Sequence, residues 1–245
     1  MTSKALVDFY DSLAVDYGVN LGRIYPTYLK WKLLETYVKP DFVCVELGVA
    51  NGLFAIPLSR LTKWVFGSDI SSKMLLLAKE SCKEKKIVNL DFYQATAEKI
   101  ALSGESVNFA YSFSTLLFLP QPEFTFYEVH RVLKPGGLAI FDLTGKYNLS
   151  NKYWNRFYRR QGHFGITSYS LEEASKALVA AGFTILDRHA SGLTDQWKYV
   201  PGLRYLRFLD KIFHSLNGKP DFDYWLSQML PQLANRWYFV IQKPA

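Results

Sequence analysis

Apolar residues recur at helical spacing near the start of the chain. Leu6, Phe9, Tyr10, Leu13 and Tyr17 fall every three or four positions and predict an amphipathic helix over 4–17. A second helix is predicted over 26–38, with Pro26 early, Trp31, Leu34, Tyr37 and Val38 on one side, and Pro40-Asp41 closing it. The pattern then alternates. Phe42–Leu47 is a short β-rich run, Gly48–Gly52 a turn, and Phe54, Ala55, Leu58 and Leu61 mark a helix. Trp64–Ser68 reads as a second strand ending at Asp69, and Ser71 or Ser72 caps a helix carrying Met74, Leu75, Ala78 and Cys82. Val88–Tyr93 and Val107–Tyr111 are the next strands. Pro122 opens a helix that ends near Leu133, and Lys134-Pro135-Gly136-Gly137 turns the chain into a strand over Leu138–Leu143. Ser170 and Glu173 form a capping-box pair for a helix over 171–181, with Gly182 at its C′ position. Phe183–Leu186 starts a sixth strand and Trp237–Ile241 is a seventh.

Strands alternating with helices across short turns predict an α/β fold, a parallel sheet with helices on both faces. Its crossovers should be right-handed. Before the last strand lies an aromatic-rich stretch, roughly 192–234. On a wheel of about 100° per residue, Arg204, Arg207, Asp210, Lys211 and His214 share one arc, and Tyr205, Leu206, Phe208, Leu209, Ile212, Phe213 and Leu216 fill the rest. Three uses suit that helix over 203–216: packing on the core or a twin subunit, a hydrophobic lid over an acceptor pocket, or contact with an anionic membrane surface. Asn217-Gly218-Lys219-Pro220 breaks it, and another helix is predicted over Tyr224–Leu230.

Of the 245 residues, 49% are hydrophobic and 21% charged, which suits a packed core and argues against disorder. Asp8 and Asp11 break any signal-peptide apolar region. No apolar run reaches the roughly 18 residues of a membrane span. Cys44 and Cys82 read as reduced thiols of a cytoplasmic protein. A net charge of +7 permits nucleic acid, an anionic membrane face or an acidic substrate, but no lysine/arginine run stands out.

Ligands of open α/β sheets bind beyond the carboxyl ends of the strands, where strand order reverses. The first strand–turn–helix there reads Val45-Glu46-Leu47-Gly48-Val49-Ala50-Asn51-Gly52. Asp69, 23 positions after Glu46, ends the second strand, where a carboxylate can accept ribose hydroxyls. Leu53 and Phe54 after Gly52 rule out a phosphate-binding P-loop. Gly48, Ala50 and Leu53 fit a dinucleotide fingerprint poorly. An acid followed by G-x-A-x-G resembles motif I of the class I methyltransferases, with Glu46, Gly48 and Gly52 matching and Ala50 replacing the middle glycine. The likeness continues through Ser68-Asp69-Ile70-Ser71-Ser72-Lys73-Met74-Leu75 and Gln94-Ala95-Thr96-Ala97-Glu98. It is tightest at Glu128-Val129-His130-Arg131-Val132-Leu133-Lys134-Pro135-Gly136-Gly137. Thr96 and Asn108 stand where the family commonly has aspartate. The similarity covers about residues 5–190 and the last strand, in the manner of the type 11 small-molecule methyltransferases.

That resemblance implies a Rossmann-like, doubly wound seven-stranded sheet, mostly parallel with an antiparallel last strand. It divides a single domain, 1–245, into cap helices over 1–40, a cofactor-binding core over 41–190, a helical insertion over 191–235 and the last strand over 236–245. It implies S-adenosyl-L-methionine as cofactor, held by Tyr17, Glu46, Gly48, Ala50, Gly52, Asp69, Ile70 and Met74 and by Thr96, Ala97, Glu98 and Ser112. It implies methyl transfer to an oxygen or nitrogen of a small acceptor, hydrophobic or linked to lipid or sugar. A non-catalytic cofactor-binding module and a nucleic-acid methyltransferase are the alternatives. No acceptor motif for nucleic acid is found, and no metal-ligand spacing. A monomer or homodimer both suit. Tyr111, Ser112, Phe113, Asp142 and Thr144 follow the fourth and fifth strands and are acceptor-side candidates. His163, in a glycine-flanked loop, is the candidate general base, ahead of His189 and His214, and His130 reads as a helix-surface or packing residue.

Overall fold

The computed structural model describes residues 7, 8, 10–12, 25–200, 202, 205 and 222–245. Tyr17 and most of the helix over 4–17 lie outside the described residues, as does the helix over 203–216 apart from Tyr205. Helix α1 (Tyr25–Tyr37) precedes strand β1 (Val43–Leu47), helix α2 (Ala55–Ser59), β2 (Trp64–Asp69), α3 (Ser72–Glu84) and β3 (Leu90–Gln94). Then come β4 (Val107–Ser112), α4 (Glu123–Val132), β5 (Leu133–Thr144), α5 (Asn151–Arg160), α6 (Leu171–Ala180), β6 (Thr184–Ser191), α7 (Phe222–Met229) and β7 (Arg236–Gln242).

All seven strands form one sheet in the order β3-β2-β1-β4-β5-β7-β6. The pairs β2–β3, β1–β2, β1–β4 and β4–β5 are parallel, and β7 runs antiparallel to both its neighbours. Strand order therefore reverses between β1 and β4, which opens a crevice at their carboxyl ends.

Successive strand residues point to opposite faces, and that alternation divides the core. Val45, Ala110, Phe141 and Phe239 face α4 and α6 through Phe126, Val129, Ala174 and Leu178. Cys44, Phe109, Ile140 and Tyr238 face the other way, onto Leu34 of α1, Leu58 of α2 and Leu75 of α3. Both faces being covered, the central strands are near-continuous apolar runs. His130 packs edge-on against Phe183 at 5.3 Å, as expected of a packing residue. Both cysteines are free and buried, and burial pushes the Cys44 thiol up to about 12, which keeps it inert.

Several boundaries move. β5 starts at Leu133 rather than Leu138, because Leu133 already pairs with Val107. Lys134-Pro135-Gly136-Gly137 is thus an irregularity inside a strand, with Gly136 at φ 75°. β3 begins at Leu90, and Val88 is exposed. β6 runs on to Ser191, since β7 supplies an antiparallel ladder for polar positions such as Asp187 and Arg188. Helix α5 has no counterpart in the apolar pattern because none of its residues is buried. Its Lys152, Arg156, Arg159 and Arg160 are separated in sequence, so they form no run, yet the helix gathers them on one side.

The expected capping box at α6 is present: Ser170 Oγ accepts the Glu173 N–H at 3.2 Å, and Glu173 Oε2 accepts the Ser170 N–H at 2.7 Å. Ser170→Ala should lower the unfolding free energy by about 1 kcal/mol, read from urea titration. An unchanged midpoint and slope would show that the cap contributes nothing.

Candidate functional site

The loop after β1 closes back onto β2. The N–H groups of Gly48 and Val49 both donate to Ser68 O, at 2.8 and 2.9 Å. Gly48 adopts φ 74°, and a Cβ there would collide with the Thr115 side chain of the loop after β4. Ala50 adopts φ 48°, a left-handed conformation that costs a side-chain-bearing residue about 1–2 kcal/mol. Asp69 holds it there: Oδ2 accepts the Ala50 N–H and Oδ1 the Ser71 N–H, both at 2.9 Å. Ser71 then caps α3 by accepting the Met74 N–H at 3.1 Å, and its hydroxyl donates to Asp11.

A cavity of about 250 Å³ opens over these strand ends. Of the residues expected to hold the cofactor, Gly48, Ala50, Asp69, Ile70 and Met74 line one side, and Thr96, Ala97 and Glu98 continue it. His163 and Phe164 line it too, with Phe118, whose ring is 5.9 Å from His163 and 5.6 Å from Tyr10. Glu46, Gly52 and Ser112 do not line the cavity; Ser112 Oγ donates to Leu47 O at 2.9 Å, and Gly52, at φ 85°, accepts the Ile56 N–H. Tyr10, Ser114, Thr115, Phe118 and Phe164 line it without having been expected to. Nothing in their spacing marks them; two lie on the turn after β4, whose path depends on β5.

The acceptor-side candidates form a buried support behind that turn. Asp142 accepts the Ser114 N–H at 2.7 Å and the Ser114 hydroxyl at 3.3 Å. Lys30 Nζ donates to Ser114 Oγ at 2.9 Å and sits 3.4 Å from Asp142. The pair holds Ser114 at φ 58° with its residue facing the cavity. Thr144 accepts from Arg236, and Phe113 packs edge-on against Phe54. His189 is engaged elsewhere, with Tyr224 and Asp187, and His214 lies outside the described residues.

Burial moves the acids and bases here toward their neutral forms. It pushes the Asp69 carboxyl up against the pull of its backbone N–H donors, and it lowers both His163 and Lys30. Glu46 is fully buried, takes the Tyr111 hydroxyl at 3.0 Å, and is pushed up to about 8 by desolvation. An acid whose folded pKa exceeds its unfolded value keeps a proton that the unfolded chain has released. Wild-type stability should therefore fall as pH rises from 4.5 toward about 8 on account of Glu46. Glu46→Gln should gain on the wild type across that window in urea titrations of the ligand-free protein. A difference that stays constant with pH would refute the buried, proton-holding carboxyl.

Fixed backbone at Gly48–Ala50, a carboxylate with lone pairs left beyond two backbone donors, and the apolar sides of Ile70, Met74 and Ala97 fit an adenosine. Among the described residues no group of His, Cys, Asp or Glu could hold a metal ion, and no helix is long and apolar enough to cross a membrane. Residues 45–141 match a family model described as a methyltransferase domain. A ubiquinone biosynthesis O-methyltransferase from Rhizobium leguminosarum bv. trifolii is 24% identical over 218 residues, 78% of this chain and 86% of its own. The cyclase SpnF shares the fold with a TM-score of 0.70 at 16% identity, over 98% of this chain and 95% of its own. So does phosphoethanolamine N-methyltransferase 2 of Haemonchus contortus, solved with S-adenosyl-L-methionine, with a TM-score of 0.62 at 19% identity over 90% of this chain and 53% of its own. The domain match and the glycine loop beside Asp69 thus agree: residues 45–141 carry a methyltransferase domain, with S-adenosylmethionine as methyl donor.

Proposed function

We propose that this enzyme methylates an oxygen of a small, largely apolar acceptor held between Tyr10, Phe118, Phe164 and His163. The observation that carries the reading is the make-up of the lining: Asp69, Thr96 and Glu98 with Gly48 and Ala50 from the strand ends, and a cluster of contacting rings, Tyr10, Phe118 and His163, beside Phe164. Relatives named for O-methylation support oxygen over nitrogen. An apolar acceptor, or the apolar part of a lipid- or sugar-linked one, suits the aromatic wall.

Asp69 would take the ribose hydroxyls on the lone pairs its two backbone donors leave free. Ile70, Met74 and Ala97 would flank the base, and Thr96 would meet its edge. Gly48 and Ala50 would bring bare or nearly bare backbone close to the remainder. When bound, S-adenosylmethionine supplies an electrophilic methyl group on a good leaving group, so the protein mainly aligns. A hydroxyl acceptor must lose a proton as its oxygen gains the methyl. His163 is suited to take it: the side chain is buried against Phe118 at 5.9 Å and Tyr158 at 5.5 Å, and burial keeps its imidazole neutral at pH 7.

Two measurements test this. Calorimetry with S-adenosylhomocysteine should show Asp69→Asn binding about tenfold to a hundredfold more weakly, the loss of a charged hydrogen-bond acceptor. Unchanged affinity in a folded variant would remove Asp69 from the ribose. A radiolabelled-methyl assay on extracts identifies an acceptor. On it, single-turnover rates of the wild type should fall only below the ordinary histidine value of 6.5, and His163→Gln should be about 10²–10⁴-fold slower without that acid limb. A His163→Gln variant as fast as the wild type would end the assignment of the base.

A further inference from the structure

Between Asp142 and Glu172 the chain carries no acidic residue and five cations, Lys146, Lys152, Arg156, Arg159 and Arg160. That segment holds five of the seven net positive charges of the whole chain. Helix α5 places the last four within about 100° of one another on its circumference, and all five border one open cleft. All five are exposed. Lys146 pairs with Glu173 at 2.7 Å, and Arg159 Nε donates to Phe164 O at 3.0 Å. Among the described residues Lys152, Arg156 and Arg160 have no acidic partner.

Apolar side chains share this surface. Tyr147 and Leu149 are more than half exposed, at 54% and 56%, and Tyr153 and Phe157 lie open beside the cationic arc. The fold uses them only in part: the Tyr153 ring meets Tyr199 at 4.9 Å, while Tyr147, Leu149 and Phe157 keep a third or more of their surface open. The opposite side of the helix is in use: Trp154 and Tyr158 stack together, and Tyr158 meets Phe118 at 4.9 Å.

We propose that residues 146–160 form a peripheral docking surface for an anionic lipid bilayer. Unpaired guanidinium and ammonium groups meet lipid phosphates, while Tyr147, Leu149, Tyr153 and Phe157 enter the boundary between headgroups and acyl chains. Nucleic acid would satisfy the cations equally well. It favours flat side chains that stack on bases, and Leu149 has no such face. A bilayer accepts leucine and aromatic rings alike. Docking in this way sets the membrane one helix away from Phe118 and His163, which line the cavity. The proposal rests on the surface alone and stands whatever the acceptor is.

Co-sedimentation of the full chain with vesicles tests it. The wild type should bind vesicles of equal phosphatidylcholine and phosphatidylglycerol, not phosphatidylcholine alone, and should release as salt is raised. Neutralising Lys152, Arg156 and Arg160 together to glutamine should weaken binding about a hundredfold, near fivefold per charge. Tyr147→Ser with Leu149→Ser should weaken it while leaving its salt dependence in place. Equal binding to neutral vesicles, no binding to anionic ones, or full binding by the glutamine variant each overturns the proposal. So does tight, salt-sensitive binding of RNA through the same arginines without vesicle binding. Should the glutamine variant fail to fold by circular dichroism, the lipid and salt dependence of the wild type still decides.

Discussion

The carboxylate of Asp69 holds the site together. Each of its oxygens takes one backbone N–H, from Ala50 on the loop after β1 and from Ser71 at the start of α3. The first bond keeps a non-glycine residue in a left-handed conformation that it would otherwise leave. The second fixes the cap that starts α3 and so the position of Met74 on the cavity wall. A carboxylate placed to hold this loop also faces the space where a ribose would lie. Structural and binding roles therefore converge on one side chain, and the strain at Ala50 is tolerated where the surroundings over-determine it.

A second constraint is desolvation. The acids and bases around the strand ends are pushed by burial toward neutrality, Glu46 and Lys30 most plainly, and His163 with them. Lys30 and Asp142 face each other behind Ser114, so neither is left as an isolated buried charge. This ion pair lies behind the cavity lining, where it fixes the turn after β4. The cavity itself presents backbone, hydroxyls, the carboxyl groups of Asp69 and Glu98, one imidazole and aromatic rings. A site of this kind suits a cationic, partly apolar ligand better than a phosphate-rich one, which would call for guanidinium or ammonium groups on the wall.

Charge is distributed with the same economy over the exterior. The chain's excess of cations is concentrated on α5 and the segment leading to it, and the opposite side of that helix contacts the aromatic wall of the cavity. One short helix therefore links the outer surface with the inner one, although none of its own residues is buried.

The alternation of apolar runs and turn residues along the chain determined the architecture. Each central strand appears as an unbroken β-rich segment because both its faces are covered, and the capping residues Ser71 and Ser170 are visible in sequence because their bonds are local. The glycine loop and Asp69 were legible for the same reason, being set by short-range backbone geometry. Sequence spacing alone could not show that β5 begins at Leu133, that Ser114 rather than Ser112 faces the cavity, or that Glu46 lies behind it against Tyr111. Those facts arise from pairings between distant segments, Leu133 with Val107, Asp142 with Ser114 and Lys30, Glu46 with Tyr111. Likewise, separated arginines became a surface only when a helix brought every third or fourth residue to one side. Local hydrogen bonding and periodicity are written in neighbouring residues; burial, charge neutralisation and the wall of a cavity are decided by contacts that exist only once the chain has closed on itself.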